Sequence, residues 1–253
     1  MISIVIIGSG NVAHHLIKAI SNSTDLELVQ VFSRNKNEVK NIIESSKIVS
    51  NYSEIIDADL YIIAVSDNSI AEVSSSLPFS NRLIAHTSGS FSVYGLDSKN
   101  RKAVFYPLQT FSKKKEIKFD TIPICIEATN ENDYEILNKV AQSISKKVYK
   151  IDSSQRKSLH IAAVFVSNFV NHLYQIGNEI CAENKLDFEI LKPLILETAN
   201  KIITLSPNEA QTGPAKRNDT ETINAHLNFL SDKNQVEIYK MLTKSIIDNG
   251  EKL

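Results

Sequence analysis

Apolar positions in the first half of the chain fall into short runs separated by helical patterns. Ile4-Val5-Ile6-Ile7 is an apolar run of strand length that stops at Gly8 and passes into a helical pattern through Val12, Leu16 and Ile20. Leu26 to Phe32 predicts a second strand, Asn37 to Ser45 a helix, and Lys47 to Ser50 a short third strand. Leu60-Tyr61-Ile62-Ile63-Ala64-Val65 is continuously apolar, the pattern of a strand covered on both faces. A helix from Ser69 to Ser76 follows, then strands near Leu83 to His86, Ala103 to Tyr106 and Ile122 to Glu127. Asn132 to Ser145 predicts a helix and Lys147 to Ile151 a last strand. Strands alternating with helices over short loops predict an α/β fold with a doubly wound, mostly parallel sheet.

The pattern changes at Asp152. Asp152-x-x-Gln155 has the form of a capping box, and no strand pattern follows it. Helical periodicity runs to about Asn184 and again from Asp187 to about Thr204. Ser206-Pro207-Asn208-Glu209 joins an N-cap, a first-turn proline and a capping-box glutamate. Further helices are predicted over Asp219 to Leu230 and Asn234 to Asp248. A sheet domain over residues 1–152 and an all-helical domain over 153–253 are therefore expected.

Composition narrows the class of protein. Of 253 residues, 42% are hydrophobic and 23% charged, the balance of a soluble globular chain. A net charge of -1 argues against a general binder of nucleic acid or anionic membrane. Lys113-Lys114-Lys115 is read as a solvated loop partly answered by Glu116. Cys125 and Cys181 lack metal spacing and are expected to be buried thiols in a reducing cytoplasm; no metal is expected. The apolar N-terminal run has no basic lead and flows into a glycine turn, so no signal peptide is expected. Ser158 to Asn178 holds no charge and is long enough to span a bilayer. Its His160, Ser167, Asn168, Asn171, His172, Gln175 and Asn178 make it too polar for a lipid-facing helix, so a buried soluble helix is expected.

The candidate chemistry starts at Gly8-Ser9-Gly10-Asn11-Val12-Ala13. Gly-x-Gly-x-x-Ala between a buried strand and a helix is the phosphate turn of a dinucleotide-binding βαβ unit. Gly8 permits the tight turn, Gly10 lets the backbone approach a pyrophosphate, and Ala13 allows close packing of helix and strand. The second strand ends in Val31-Phe32-Ser33-Arg34, where an NAD site would place an acid. Ser33 and Arg34 can bond and neutralise a 2′-phosphate instead, which predicts NADP(H). Ligands of such folds bind beyond the carboxyl ends of the strands. Three segments fall there: Ala64-Val65-Ser66-Asp67, His86-Thr87-Ser88-Gly89-Ser90 and Tyr106-Pro107-Leu108-Gln109-Thr110-Phe111. His86 reads either as a substrate ligand or as a histidine capping the sheet edge.

At about 100° per residue, His160, Ser167, Asn171 and Asn178 share one line of the long helix, with Asn168 and Gln175 beside it. Such a row needs partners when buried, supplied either by a ligand or by an interhelical or dimer contact. Thr212-Gly213-Pro214-Ala215-Lys216-Arg217-Asn218-Asp219 is a polar turn able to grip an anion, or one in which Arg217 simply pairs with Asp219.

The glycine turn, Tyr106 to Phe111, His160 to Asn168, and Thr212 to Asp219 ending at His226-Leu227 together resemble a bacterial family. That family joins a Rossmann-like NADP-binding domain to a helical C-terminal domain of unknown function, and the resemblance implies an NADP oxidoreductase. The architecture is also similar to pyrroline-5-carboxylate reductase, ketopantoate reductase and the β-hydroxyacid dehydrogenases. The last of these carry a catalytic Lys with an Asn one turn later. Here His160 stands near the Lys position and Asn168 follows two turns on, which departs from Lys-dependent alcohol oxidation; Lys157 is three residues too early.

The expectation is an NADP(H)-dependent oxidoreductase moving a hydride to or from a small polar substrate held between the domains. An imine, ketoacid or hydroxyacid would serve as that substrate. Gly8, Ser9, Gly10, Asn11, Val12, Ser33, Arg34, Ala64, Val65 and Ser66 are the expected cofactor residues. His160 is the expected proton donor or acceptor, with Asn168 orienting substrate and Ser88, Gln109, Thr212 and Arg217 completing the pocket. The competing reading is a non-catalytic NADP(H) sensor acting through its dimer. A homodimer through the C-terminal domain is expected on either reading.

Overall fold

The computed structural model describes residues 1–250. Strand β1 (Ile2–Ile7) leads into helix α1 (Asn11–Ser21), then β2 (Leu26–Phe32) and β3 (Ile48–Val49). β4 (Leu60–Ile63), α2 (Ile70–Ser76), β5 (Leu83–His86) and β6 (Arg101–Pro107) follow, then β7 (Ile124–Ala128), α3 (Glu131–Ile144) and β8 (Val148–Lys150). The eight strands form one sheet in the order β3-β2-β1-β4-β5-β6-β7-β8. All pairs are parallel except β6 with β7. The fold is thus the mostly parallel, doubly wound sheet that the alternating pattern predicts.

Alternation along each strand divides the core in two. Ile4 and Ile6 face a cluster with Leu16, Ile17 and Ile20 of α1 and Leu137, Val140 and Ala141 of α3. Val5 and Ile7 face the opposite cluster with Tyr61, Ile63, Ile84 and Ile70 of α2. Helices on both faces exclude water from β1 and β4, which accounts for their uninterrupted apolar runs.

The helix expected over 37–45 does not form. A single 3-10 turn, Lys36–Glu38, is capped by the Asn35 side chain, and Val39 leaves helical geometry at φ -127°. Val39 is the one residue of that stretch to be fully buried; Ile42 and Ile43 pack against the same cluster from a turn and not from a continued helix. Lys113 of the basic loop pairs with Glu38 rather than with Glu116.

The Asp152 capping box is present, its carboxylate accepting from the Ser154 and Gln155 backbone N–H groups at 2.8 Å. It starts α4 (Ser153–Ala163), which passes through a π-helical segment (Val164–Phe169) into α5 (Val170–Glu183). By contacts the chain divides into compact units Met1–Ser167 and Asn168–Leu253, so α4 belongs with the sheet and the division lies beyond the change of pattern at Asp152. Two expectations for the uncharged helix fail. It is not buried within the chain: Phe165 and Val166 are 63% and 73% exposed. Nor is the helix α-helical throughout, the spacing of about 100° per residue on which the polar row is counted being broken by the π-helical residues Val164–Phe169.

The second unit holds α5, α6 (Lys192–Thr204), α7 (Pro207–Ala210), α8 (Thr220–Phe229) and α9 (Lys233–Gly250). Among its described residues only Cys181, Ala215, Ile223 and Gln235 are buried. No helix among the described residues is long and apolar enough to cross a membrane.

In the first unit, Arg156 of α4 is 1% exposed and ion-paired with Glu127 of β7. Its guanidinium also donates to the Phe91 carbonyl at 2.5 Å and to Ser153 Oγ at 3.1 Å. Arg156→Met leaves Glu127 without its cation and is expected to cost about 3–5 kcal/mol in urea unfolding. Adding Glu127→Leu should restore much of that loss; an equally unstable double variant would show that the pair is not what α4 depends on.

Candidate functional site

β1, β4, β5 and β6 run parallel, so their carboxyl ends meet at one edge of the sheet. β1 lies between β2 and β4, the point where the strand order reverses and ligands of such folds bind. A cleft of about 610 Å³ opens there. Gly8, Ser9, Gly10, Asn11, Val12, Ser33, Arg34, Ala64, Val65 and Ser66 all line it. The structure therefore brings all ten residues expected for the cofactor to one place.

Local geometry explains why the turn needs its glycines. Gly8 has φ +134°, and a Cβ there would lie 2.2 Å from the Ala64 carbonyl oxygen, so any side chain would force β1 away from β4. Gly10 has no atom within 4 Å of such a Cβ; it faces open space rather than protein. α1 starts at Gly10 with no side-chain cap and no acid in its first turn. Its leading N–H groups and the positive end of its dipole are left for an anion.

The far wall of the cleft carries Phe32, Arg34 and Tyr52. Tyr52 stacks on Phe32 with centroids 4.4 Å apart, a wall that no motif in the sequence disclosed. Arg34 is exposed and makes no ion pair among the described residues, whereas the Ser33 hydroxyl already donates to the Asn35 carbonyl at 2.8 Å. The cation is thus the freer of the two groups expected at a 2′-phosphate.

Past β5 and β6 the site residues part company. Ser88 is buried, and its Oγ accepts from the Ser90 and Phe91 N–H groups at 3.1 and 2.9 Å, so it shapes its own loop instead of presenting a hydroxyl. Asp67 after β4 accepts from the Ser90 hydroxyl at 2.6 Å and ties the two loops together. Gln109 is exposed and its amide oxygen accepts from the Thr110 N–H. His160 sits against Tyr106, Nδ1 being 3.2 Å from the phenol oxygen. Gly89 backs both rings. Tyr106 and Gly89 lie in the segments marked at the strand ends, but nothing in the sequence pairs them with His160.

Asn168, Thr212 and Arg217 belong to the second unit. Asn168 and Thr212 are exposed, and Arg217 lies 3.8 Å from Asp219, which caps α8 by accepting from the Thr222 N–H. The pairing alternative for that turn is the one observed. His226 is taken by Tyr239, 2.8 Å from Nδ1.

His86 is fully buried, accepts the Ser88 N–H at Nδ1, and meets the edge of Phe91. It is a histidine capping the sheet edge, not one open to a ligand. Burial and then the Arg156 charge hold it neutral, lowering its pKa from 6.5 to about 3.

Comparison with known proteins agrees with this geometry. Residues 3–87 match the family described as NADP oxidoreductase coenzyme F420-dependent, and residues 122–246 match a domain of unknown function, DUF2520. A candidate NADP oxidoreductase of Bacteroides fragilis, BF3122, is 38% identical over 98% of both chains, with a TM-score of 0.89. Protein TM1727 of Thermotoga maritima is 22% identical over 98% of both chains, with a TM-score of 0.75. Plasmodium falciparum pyrroline carboxylate reductase, solved with NADP bound, shares 14% identity over 97% of this chain and 98% of its own, with a TM-score of 0.61. None of the curated proteins compared matches the chain. The fold and cleft define a Rossmann-like, dinucleotide-binding class. The chain belongs to the family that joins the NADP oxidoreductase domain to DUF2520.

His86 gives the site a measurable pH response. Below pH 6.5 the unfolded chain takes up a proton that the folded chain refuses until about pH 3. Stability should therefore fall as the pH drops through that window, by up to about 1.4 kcal/mol per pH unit. In urea unfolding across the window, His86→Phe should show a shallower slope than the parent; an identical slope would assign the loss to other groups.

Proposed function

We propose that the protein is an NADP(H)-dependent oxidoreductase that reduces or oxidises a small polar substrate. The convergence of three separately predicted segments, ten residues in all, on the cleft at the β1–β4 switch point carries this reading. Bound there, NADPH supplies a hydride, and the residues position it and exclude water. The uncapped start of α1 holds the pyrophosphate, Gly10 lets it approach, and Arg34 meets the 2′-phosphate. Ala64 and Ser66 are small enough to leave room for a ribose and ring beyond β4. His160 exchanges a hydrogen with the substrate atom next to the reacting carbon.

Calorimetry with NADPH and NADH tests the cofactor assignment. Arg34→Ala should weaken NADPH by roughly 10- to 100-fold, the loss of one charged hydrogen bond, and leave NADH nearly unchanged. An unchanged NADPH-to-NADH ratio would sink the assignment. Single-turnover oxidation of NADPH with a panel of imines and 2-ketoacids tests the chemistry. Full activity in His160→Ala removes its role, and tight binding with no turnover across the panel favours a sensor.

We also propose a homodimer through the helical unit. A unit with four buried side chains among its described residues cannot sustain a core alone. Leu194, Leu196, Ile202 and Ile203 of α6 and Phe229 of α8 are each more than half exposed. A second copy covers such a surface by isologous contact. Light scattering at micromolar concentration should give twice the chain mass; a monomer would refute it.

A further inference from the structure

We infer that Tyr106 is the positioning residue of His160. Its phenol hydrogen occupies Nδ1, so the neutral imidazole carries its own proton on Nε2 and offers that position as a hydrogen-bond donor. The inference rests on the oxidoreductase reading for its meaning, and on the geometry of three residues for its content.

Tyr106 is 9% exposed, and His160 Nδ1 is the sole hydrogen-bond partner of its hydroxyl among the described residues. Only one hydrogen lies on the line between the two atoms. Were it the imidazole's, the phenol hydrogen would be left without an acceptor among the described residues, a costly arrangement for a side chain so little exposed. Placing the phenol hydrogen on that line satisfies both groups. Burial raises the Tyr106 pKa from 10.0 to about 12, so the phenol keeps the hydrogen it donates. Which ring nitrogen of a histidine is protonated follows from the bond that the other one makes.

Gly89 shows that the arrangement is built. A Cβ at this position would stand 2.6 Å from His160 Nδ1 and 2.9 Å from Tyr106 Cζ. Gly89 has none of the left-handed backbone geometry of Gly8, so a side chain is excluded there by the two rings alone. From the other side α4 is fixed through Arg156, one helical turn before His160. Nε2 has no partner among the described residues, and His160 is partly exposed.

An Nε2–H donor suits one substrate class. It can hydrogen-bond the oxygen of a carbonyl or the nitrogen of an imine, the atom that gains electron density when the adjacent carbon accepts a hydride. It cannot accept a proton at Nε2 from a hydroxyl without first losing its own. The pair thus points to a carbonyl or imine acceptor whose oxygen or nitrogen is held at Nε2–H while its carbon takes a hydride; the proton that completes the reduction comes from water, since the phenol keeps its own.

Heteronuclear NMR on histidine-labelled protein reads the tautomer directly, with His160→Gln assigning the signal. The parent should show Nε2 protonated and Nδ1 as acceptor. Tyr106→Phe should convert this single tautomer to a mixture, and Gly89→Ala, which wedges the rings apart while keeping both polar groups, should do the same. A proton on Nδ1 in the parent overturns the inference, as does an unchanged tautomer in a folded Tyr106→Phe protein. Calorimetry with NADPH on the same samples separates the two readings. Binding intact with the wrong tautomer refutes Tyr106 alone; the right tautomer with no NADPH binding refutes the oxidoreductase reading and leaves the pair standing.

Discussion

Arg156 is the largest side chain that the protein buries completely, and its charge organises one end of the sheet. A guanidinium loses most of its hydration on burial, and only close partners offset that cost. Those partners come from places far apart in sequence. Glu127 is on β7, the Phe91 carbonyl is in the loop after β5, and Ser153 is in the first turn of α4. Ser153 in turn donates to Glu127 and accepts from the Val93 N–H, so no member can move alone. Because 156 and 160 are one turn apart, anchoring the first also sets the second against Tyr106. The same cation helps hold His86 neutral two strands away.

The two glycines at the carboxyl edge do different work, and the difference separates the cofactor end from the Tyr106–His160 pair. Gly8 has a backbone conformation that side chains resist, and it lets β1 and β4 close together beneath the cleft. Gly89 is ordinary in conformation and crowded by rings. A tight turn explains the first whether or not a ligand binds. The second makes sense only if the positions of His160 and Tyr106 matter more than the side chain that was given up. Asp67 joins the two regions through the Ser90 hydroxyl, so a shift in the loop after β4 reaches the loop that backs His160.

How much of this could be read in the sequence follows from the range of the forces involved. β2 and β5 begin and end where their strand patterns do, and both capping motifs, at Asp152 and Ser206, act within four residues of themselves. The cofactor cleft was legible because a phosphate turn, a strand end and a small-residue segment are each local, and the doubly wound topology then brings them together. The helix over 37–45 does not form although Val39, Ile42 and Ile43 reach the core as its pattern requires, because the chain leaves helical geometry at Val39. Tyr106, Gly89 and Arg156 were opaque for a different reason. Their meaning lies in contacts across 54, 71 and 29 residues that no period encodes. Ser88 was misjudged because a hydroxyl in a polar loop looks the same whether it faces a ligand or its own backbone.

The absence of charge from Ser158 to Asn178 fits the homodimer proposed for the helical unit. A solvated helix of that length gains solubility and side-chain freedom from Lys and Glu, and this one has neither. A charge stranded in an interface costs far more than an amide or hydroxyl, which can find a partner in either direction. Asn, Gln, Ser and His on a face that a second copy would cover meet the same residues related by symmetry, each able to donate and accept. Leu194, Leu196 and Ile203 of the helical unit would supply the area buried in such a contact. The composition that first suggested a membrane span is therefore one that the proposed homodimer would require of this helix.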